Sequence, residues 1–253
     1  MKSRFSRIIL SILILSLALS ACAPPSLAQS EPKESLAEVE NLNVLQEIEE
    51  PTDPDDRDAQ PYPEDGFVYM PPEYIPPSPE IIAKTQEQVK SFNCANVTDV
   101  SQIECEALVA LYESTNGAGW DHNRDWLEST TVRDWYGVTI DSGVTSLDLH
   151  WNNLTGSIPS TLSNLSNLES LSLYLNQLTG SIPANLGSLS NLQWLDLSDN
   201  LLTGSIPLSF VNLTNIIVFY FSETNLCEPT TPEFSAWKNT VYSWSGTGII
   251  CER

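Results

Sequence analysis

The chain has 253 residues, of which 33 are acidic and only 11 are basic, so its formal net charge is −22 at neutral pH. This balance argues against nucleic acid and anionic lipid as partners, because both require basic patches on the protein. Solubility alone explains so acidic a chain, and the composition is compatible with a cationic partner without requiring one.

The first 22 residues carry the pattern of an export signal. A positively charged start is followed by an apolar run over residues 8–19, which is too short for a membrane span of about 20 residues. The run Leu-Ser-Ala-Cys that ends at Cys22 resembles the lipobox of bacterial lipoproteins, in which the cysteine becomes lipidated and begins the mature chain. We therefore predict a lipoprotein signal peptide over residues 1–21 and a lipid anchor on Cys22. An ordinary cleaved signal with a chance cysteine is the alternative.

Residues 22–90 have the composition of a tether. Acidic residues outnumber basic residues here by 16 to 4, and prolines are frequent. Prolines and like charges both extend a chain, and such a segment cannot bury enough apolar surface to offset the entropy of ordering it. We predict that residues 22–90 are mostly disordered and hold the folded part away from the membrane.

Four further cysteines predict disulfides in an exported chain. Sequence alone allows three pairings among them. One pair lies on each side of the repeated region, and this layout favours Cys94 with Cys105 and Cys227 with Cys251. Each bridge should stabilise its end of the fold by roughly 3 kcal/mol. Metal binding is the alternative, but these spacings fit no zinc pattern.

The central part of the chain repeats. The hexapeptide Leu-Thr-Gly-Ser-Ile-Pro occurs three times, beginning at Leu154, Leu178 and Leu202, which gives a period of 24 residues over 144–215. A repeat of this length indicates a stack of similar units that share one core, because no single unit could bury its apolar side chains alone.

Each position of the unit has a predicted place. Leu171 and Leu173 have the spacing that turns side chains to one side of a short strand. The asparagine that follows occurs at Asn152, Asn176 and Asn200. Stacked copies of this side chain would form a ladder that satisfies backbone groups at the bend.

The pattern Leu-x-x-Leu-x-Leu-x-x-Asn-x-Leu-Thr-Gly-x-Ile-Pro resembles the plant-type leucine-rich repeat, and three repeats match it without a gap. That family includes receptor-kinase ectodomains, plant inhibitors of pectin-degrading enzymes and exported bacterial proteins. Together with the period, the resemblance implies an α/β solenoid: a short right-handed leucine-rich-repeat coil with parallel concave strands, capped at both ends. It implies little about function, because the family shares a scaffold and not a ligand.

The segments beside the regular repeats resemble the family's caps. Residues 91–143 combine an amphipathic helical pattern at 104–112 with a tryptophan-rich loop, and we expect them to cover the first repeat. The repeats extend over 144–226, and their last unit is degenerate, with Phe219 and Phe221 at inward positions. Residues 227–253 form the C-terminal cap, in which residues 234–237 close the open end.

The strand positions that point away from the core form the concave face. Four strands about 4.8 Å apart give a face only ~15–20 Å wide, which suits a peptide, a loop or an oligosaccharide. Exposed aromatic side chains and scattered carboxylates supply contact area and orienting polar groups. The competing interpretation is a weakly specified face whose aromatic residues contribute only local stability. We predict that the face binds a protein or peptide, with a glycan as the alternative, through His150, Trp151, Tyr174, Leu175, Trp194, Asp196 and Tyr220.

Two other functions compete with recognition. A structural or adhesive envelope protein would act through the acidic tether. An enzyme would need a catalytic constellation, yet the chain has only two histidines and no nucleophile elbow, phosphate loop or metal-spaced histidine pair. Asp148 and Asp196 lie two repeats apart, roughly 10 Å, which is wide for paired acid–base work. We therefore predict no catalytic residue, cofactor or metal. From the export signal and Cys22 we predict an extracytoplasmic protein that is anchored by lipid to the bacterial cell envelope.

Overall fold

The computed structural model describes residues 74–252. The predicted signal peptide, the predicted lipidation site at Cys22 and the part of the predicted tether up to residue 73 lie outside the described residues. Within 74–252, no helix has the length and the apolar composition needed to cross a membrane.

Two sheets run the length of the repeats, and each repeat contributes one strand to each sheet. The strands are β1 Val138–Ile140, β2 Val144–Asp148, β3 Thr155–Gly156, β4 Ser170–Ser172, β5 Gln177–Gly180, β6 Trp194–Asp196, β7 Leu201–Ser205, β8 Val218–Tyr220, β9 Asn225–Cys227 and β10 Ser243–Ser245. The six-stranded sheet, which we call the concave sheet, has the order β1-β2-β4-β6-β8-β10, and the four-stranded sheet has the order β3-β5-β7-β9. This arrangement confirms the predicted repeat coil with parallel concave strands.

The concave sheet is wider than the four strands predicted for it. β1 pairs with β2 in the antiparallel sense, with Val138 opposite Leu147. β10 pairs with β8 in parallel, with Trp244 opposite Phe219. Six strands span roughly 24 Å at the usual strand spacing. Both added strands are three residues long and belong to the caps, so the repeat period gave no signal for them.

The interior is one continuous apolar column. Leu171 and Leu173 are fully buried, and the inward positions predicted for Phe219 and Phe221 are confirmed. Short 3-10 turns on the convex side complete the column, because each directs one apolar side chain inward. These turns are Ser160–Asn164 with Leu162, Ala184–Ser188 with Leu186, and Leu208–Asn212 with Phe210.

The predicted asparagine ladder is confirmed. The Asn176 side-chain oxygen accepts hydrogen bonds from the backbone N–H groups of Asn152 and Leu154, at 3.1 and 2.9 Å. Its amide nitrogen donates to the carbonyls of Leu149 and Leu173, at 2.9 and 3.0 Å. A buried polar side chain therefore satisfies backbone groups of two adjacent repeats, as buried polar groups must.

The N-terminal cap contains two helices, α1 Pro79–Ser91 and α2 Gln102–Ser114. The predicted helix at 104–112 is confirmed within α2. A capping box formed by Ser101 and Glu104 begins this helix. Glu104 also accepts a hydrogen bond from the backbone N–H of Val144 at 3.0 Å. The same carboxylate thus caps α2 and ties it to the first strand of the repeats.

The prediction that residues 22–90 are mostly disordered was wrong at its C-terminal end, where α1 lies. Pro79 occupies the first turn of α1, where its missing N–H costs nothing, and the Ser78 hydroxyl accepts a hydrogen bond there. Thr85 is only 2% exposed, and its hydroxyl accepts from the backbone N–H of Ala118 at 3.2 Å. The folded part therefore includes α1, which the proline content and acidic charge of residues 22–90 had assigned to the tether.

The C-terminal cap closes the other end. Its helix, α3 Pro232–Lys238, places Phe234 and Trp237 in the core, as predicted. The Trp237 indole N–H donates to the carbonyl of Leu213 at 3.1 Å, which ties the cap to the last convex turn. Both predicted disulfides are confirmed, because the two bridges join Cys94 with Cys105 and Cys227 with Cys251.

Candidate ligand-binding face

The outward positions of the concave sheet line up in columns. The parallel strands pair without a register shift, so Ser172 lies between Asp148 and Asp196. Asp196 lies beside Tyr220 on the next strand. Because the side chains of one column point to one side, the repeat period assembles the candidate residues on a single face.

Two aromatic pairs lie on this face. The rings of His150 and Tyr174 stack with their centroids 5.0 Å apart and their planes 4° from parallel. Trp194 and Tyr220 meet edge to face at 5.9 Å. The Tyr220 hydroxyl also lies 2.8 Å from the hydroxyl of Ser243 on β10. These contacts fix the orientation of four of the seven predicted ligand-binding residues.

Trp151, Leu175, Asp199 and Glu223 form a further column, which we call the rim column. All four residues have a left-handed backbone, with φ between 51° and 55° at the last three and 45° at Trp151. A residue with a side chain loses roughly 1–2 kcal/mol of conformational free energy when its backbone is left-handed. The strain is held by neighbouring repeats, because the N–H of Trp151 donates to the carbonyl of Tyr174 at 3.0 Å.

Trp151 is the most exposed aromatic residue among the predicted ligand-binding positions. Its side chain is 57% exposed, whereas Tyr174, Leu175, Trp194 and Tyr220 are half-buried. The exposed indole therefore offers apolar contact area on a backbone whose N–H is hydrogen-bonded to the next repeat. Backbone strain of this kind concentrates at ligand-contacting sites.

Asp196 is the most buried of the seven predicted ligand-binding residues. The residue is 8% exposed, and its carboxylate accepts a hydrogen bond from the Ser198 hydroxyl at 2.5 Å. Burial raises the pKa of Asp196, and the Ser198 hydrogen bonds partly offset that rise. The Asp196 carboxylate therefore already has a partner in Ser198, which is buried as well, and its contact with a ligand stays a prediction.

The remaining carboxylates differ in their partners. Asp148 lies 2.6 Å from the Nδ1 atom of His150, so this carboxylate already has a partner on the face. Burial raises the pKa of Asp199 to about 6, and the negative charges of Glu223 and Asp196 add to the rise. Asp199, which is half-buried, and Glu223, which is exposed, are consecutive members of the rim column, so two acidic side chains occupy neighbouring positions there.

The sequence holds no lysine or arginine between Arg133 and Lys238, a span that covers all the repeats. Lys238 itself forms an ion pair with Glu228 in the C-terminal cap, and it lies 4.6 Å above the Trp244 ring. The repeats therefore bring no lysine or arginine side chain to the concave sheet. Within residues 74–252, no group of histidine, cysteine or acidic side chains has the arrangement of a metal site.

Sequence reasoning missed the contribution of the caps to this face. Thr139 of β1 lies opposite Ser146, and Ser243 of β10 lies beside Val218. The alternation Ser-Trp-Ser in β10 is typical of a half-buried strand, but three residues are too few to predict a strand from alternation.

The leucine-rich-repeat family model matches residues 142–202, and no curated protein sequence matches the chain. Among solved structures, the plant peptide hormone receptor RGFR1 in complex with RGF2 is 39% identical, with 38% of this chain and 15% of that chain covered and a TM-score of 0.36. The ectodomain of the Arabidopsis receptor kinase HAESA, in complex with an IDA peptide hormone, is 35% identical, with 56% and 24% covered and a TM-score of 0.46. The BIR2 ectodomain from Arabidopsis thaliana is 25% identical, with 62% and 100% covered and a TM-score of 0.39. The chain thus spans only a small part of the first two receptors.

Proposed function

We propose that this leucine-rich-repeat chain is an extracytoplasmic binding module that recognises a protein or peptide through its concave sheet. The observation that carries the proposal is the exposed indole of Trp151 beside the stacked rings of His150 and Tyr174. Trp151 supplies contact area, and the paired rings of His150 with Tyr174 and of Trp194 with Tyr220 are already oriented, so they lose little conformational entropy on binding. The face therefore needs little rearrangement to accept a ligand.

Export and anchoring belong to the same proposal. The two disulfides support an oxidising compartment, because such bridges persist outside the cytoplasm. The sequence around Cys22 supports a lipid anchor, and a diacyl or triacyl group would hold the chain firmly where a single acyl chain would not. The acidic residues that follow Cys22 would then set the distance between the membrane and the repeats.

Capture from a mixture tests the proposed function. The full chain is immobilised and exposed to envelope proteins, peptides and glycans, beside a variant that combines Trp151→Ala, Tyr174→Ala and Trp194→Ala. We expect a protein or peptide to be captured by the native chain and its affinity to fall by roughly thirtyfold or more in the variant, because buried aromatic anchors carry most of an interface's free energy.

The matched control for capture replaces three exposed apolar residues outside the concave sheet, namely Ile103, Leu208 and Ile250. It should capture as the native chain does, and the thermal unfolding of every variant must match that of the native chain. Equal capture by the concave-face variant would contradict the proposal. A structural or adhesive role would be favoured instead if deletion of residues 23–73 abolished function while mutations of the concave face had no effect on it.

A further inference from the structure

The rim column changes character along the coil. Trp151 and Leu175 give it two apolar members in the first two repeats, and Asp199 and Glu223 give it two acidic members in the next two. We propose that the ligand is an extended cationic peptide, an inference that rests on the proposed function. An apolar side chain of the peptide packs on Trp151 and Leu175, and its lysine or arginine pairs with Asp199 and Glu223.

The two acidic residues of the rim column indicate that the ligand carries a positive charge. The carboxylates of Asp199 and Glu223 lie in adjacent repeats, which are joined by a backbone hydrogen bond from Asp199 to Ser222 at 3.0 Å. The sequence has no lysine or arginine between residues 134 and 237, so neither residue type within the repeats can pair with these two carboxylates. A cation placed between two like charges relieves their repulsion, and a guanidinium group can bind carboxylates through several donors at once.

The two apolar residues of the rim column indicate that the ligand also carries an apolar side chain. The Trp151 ring is exposed and Leu175 is half-buried, so an aliphatic or aromatic side chain can cover both. The centres of the apolar pair and the acidic pair lie two repeats apart, about 10 Å at sheet spacing. An extended peptide advances about 3.3 Å per residue, so its basic and apolar residues should be two to four positions apart.

The chain's own segments are poor candidates for this place. Residues 23–73 contain 14 acidic and 2 basic residues, so the acidic pair would repel them. A second copy of the chain, with a net charge of −22, is disfavoured for the same reason. The occupant that the rim column fits is therefore a separate, positively charged peptide.

Selection from a random heptapeptide library on the immobilised full chain tests the inference. We expect enrichment of sequences that carry lysine or arginine two to four positions from an aliphatic or aromatic residue. In the variant Asp199→Asn with Glu223→Gln, a synthetic peptide from this pool should bind roughly two- to thirtyfold more weakly, as expected for the loss of two charge pairs at the protein surface. The affinity of that peptide for the native chain should also fall with added salt.

A second variant removes the same charge elsewhere. Asp141→Asn with Glu169→Gln alters two exposed carboxylates outside the rim column and should leave the affinity unchanged. Equal losses in both variants would overturn the inference, because net charge alone would then explain binding.

The library also separates the two proposals. Enrichment of neutral or acidic peptides that depend on Trp151 would overturn the cationic ligand and leave the proposed function standing. Binding of oligosaccharides, with no peptide enriched, would overturn the inference and reassign the face to glycans. No enrichment of any ligand would count against both proposals.

Discussion

Replacing Asn176 with alanine is expected to lower the free energy of unfolding by about 3–5 kcal/mol, because each buried donor or acceptor left without a partner costs roughly 1–3 kcal/mol. The side chain makes five hydrogen bonds to backbone groups of Asn152, Leu154, Leu149, Leu173 and Tyr174. Asn176 is 5% exposed, so water can replace few of these bonds. Chemical denaturation followed by far-UV circular dichroism measures the loss.

The control for this ladder substitution is Asn164→Ala. Asn164 is an exposed asparagine on a convex turn, and its replacement should change stability by less than about 0.5 kcal/mol, as surface substitutions usually do. A loss below about 1 kcal/mol for Asn176→Ala would mean that the ladder bonds are dispensable. The backbone at the bend would then be held by some other contact.

Truncation of Leu171 to alanine is expected to cost about 2–5 kcal/mol. The side chain is fully buried, and its strand residue pairs with Leu147 on one side and Leu195 on the other. A cavity at this point would lie in the middle of the shared core, where the flanking layers cannot collapse into it without moving their own strands. Equilibrium unfolding in urea measures the change.

The same substitution in the same repeat provides the comparison. Leu175 is half-buried on the rim column, so Leu175→Ala removes less apolar area from the core and should cost less than about 1.5 kcal/mol. Equal losses at the two positions would place Leu171 outside the shared core and contradict the inward register of the strands.

The repeats could be predicted from sequence because their signals recur. Leu171 and Leu173 follow the two-residue period of a strand, and Asn152, Asn176 and Asn200 recur every 24 residues. A pattern that is repeated three times constrains the register of every copy, since stacking joins equivalent positions. The disulfide pairing could also be predicted, because each pair lies on one side of the repeats.

The caps could not be predicted to the same depth, because they occur once and depend on tertiary contacts. The helix that begins at Pro79 lies in a proline-rich stretch, and it is stabilised by the burial of Thr85 and by its hydrogen bond with Ala118. The strands that widen the concave sheet at both ends are too short to give a period. Local sequence is a weak guide wherever the partner surface decides the structure.

The candidate site was predictable as a set of columns but not in its detail. The outward positions of Tyr174 and Trp194 follow from the strand period. The stacking of His150 on Tyr174 and the burial of Asp196 depend on side-chain rotamers that the sequence does not specify. The left-handed backbone of Trp151 depends on hydrogen bonds from the next repeat.

The most direct test of recognition by the concave sheet is oxidative footprinting of the full chain with and without its captured ligand. Trp151 is 57% exposed on the concave face, and Tyr242, at 73% exposed in the C-terminal cap, serves as the internal reference. Ligand binding should slow the oxidation of Trp151 severalfold and leave Tyr242 unchanged, because only the former would be covered. An unchanged rate at Trp151 with ligand bound would contradict the account, and protection of Tyr242 alone would place the binding surface at the C-terminal cap.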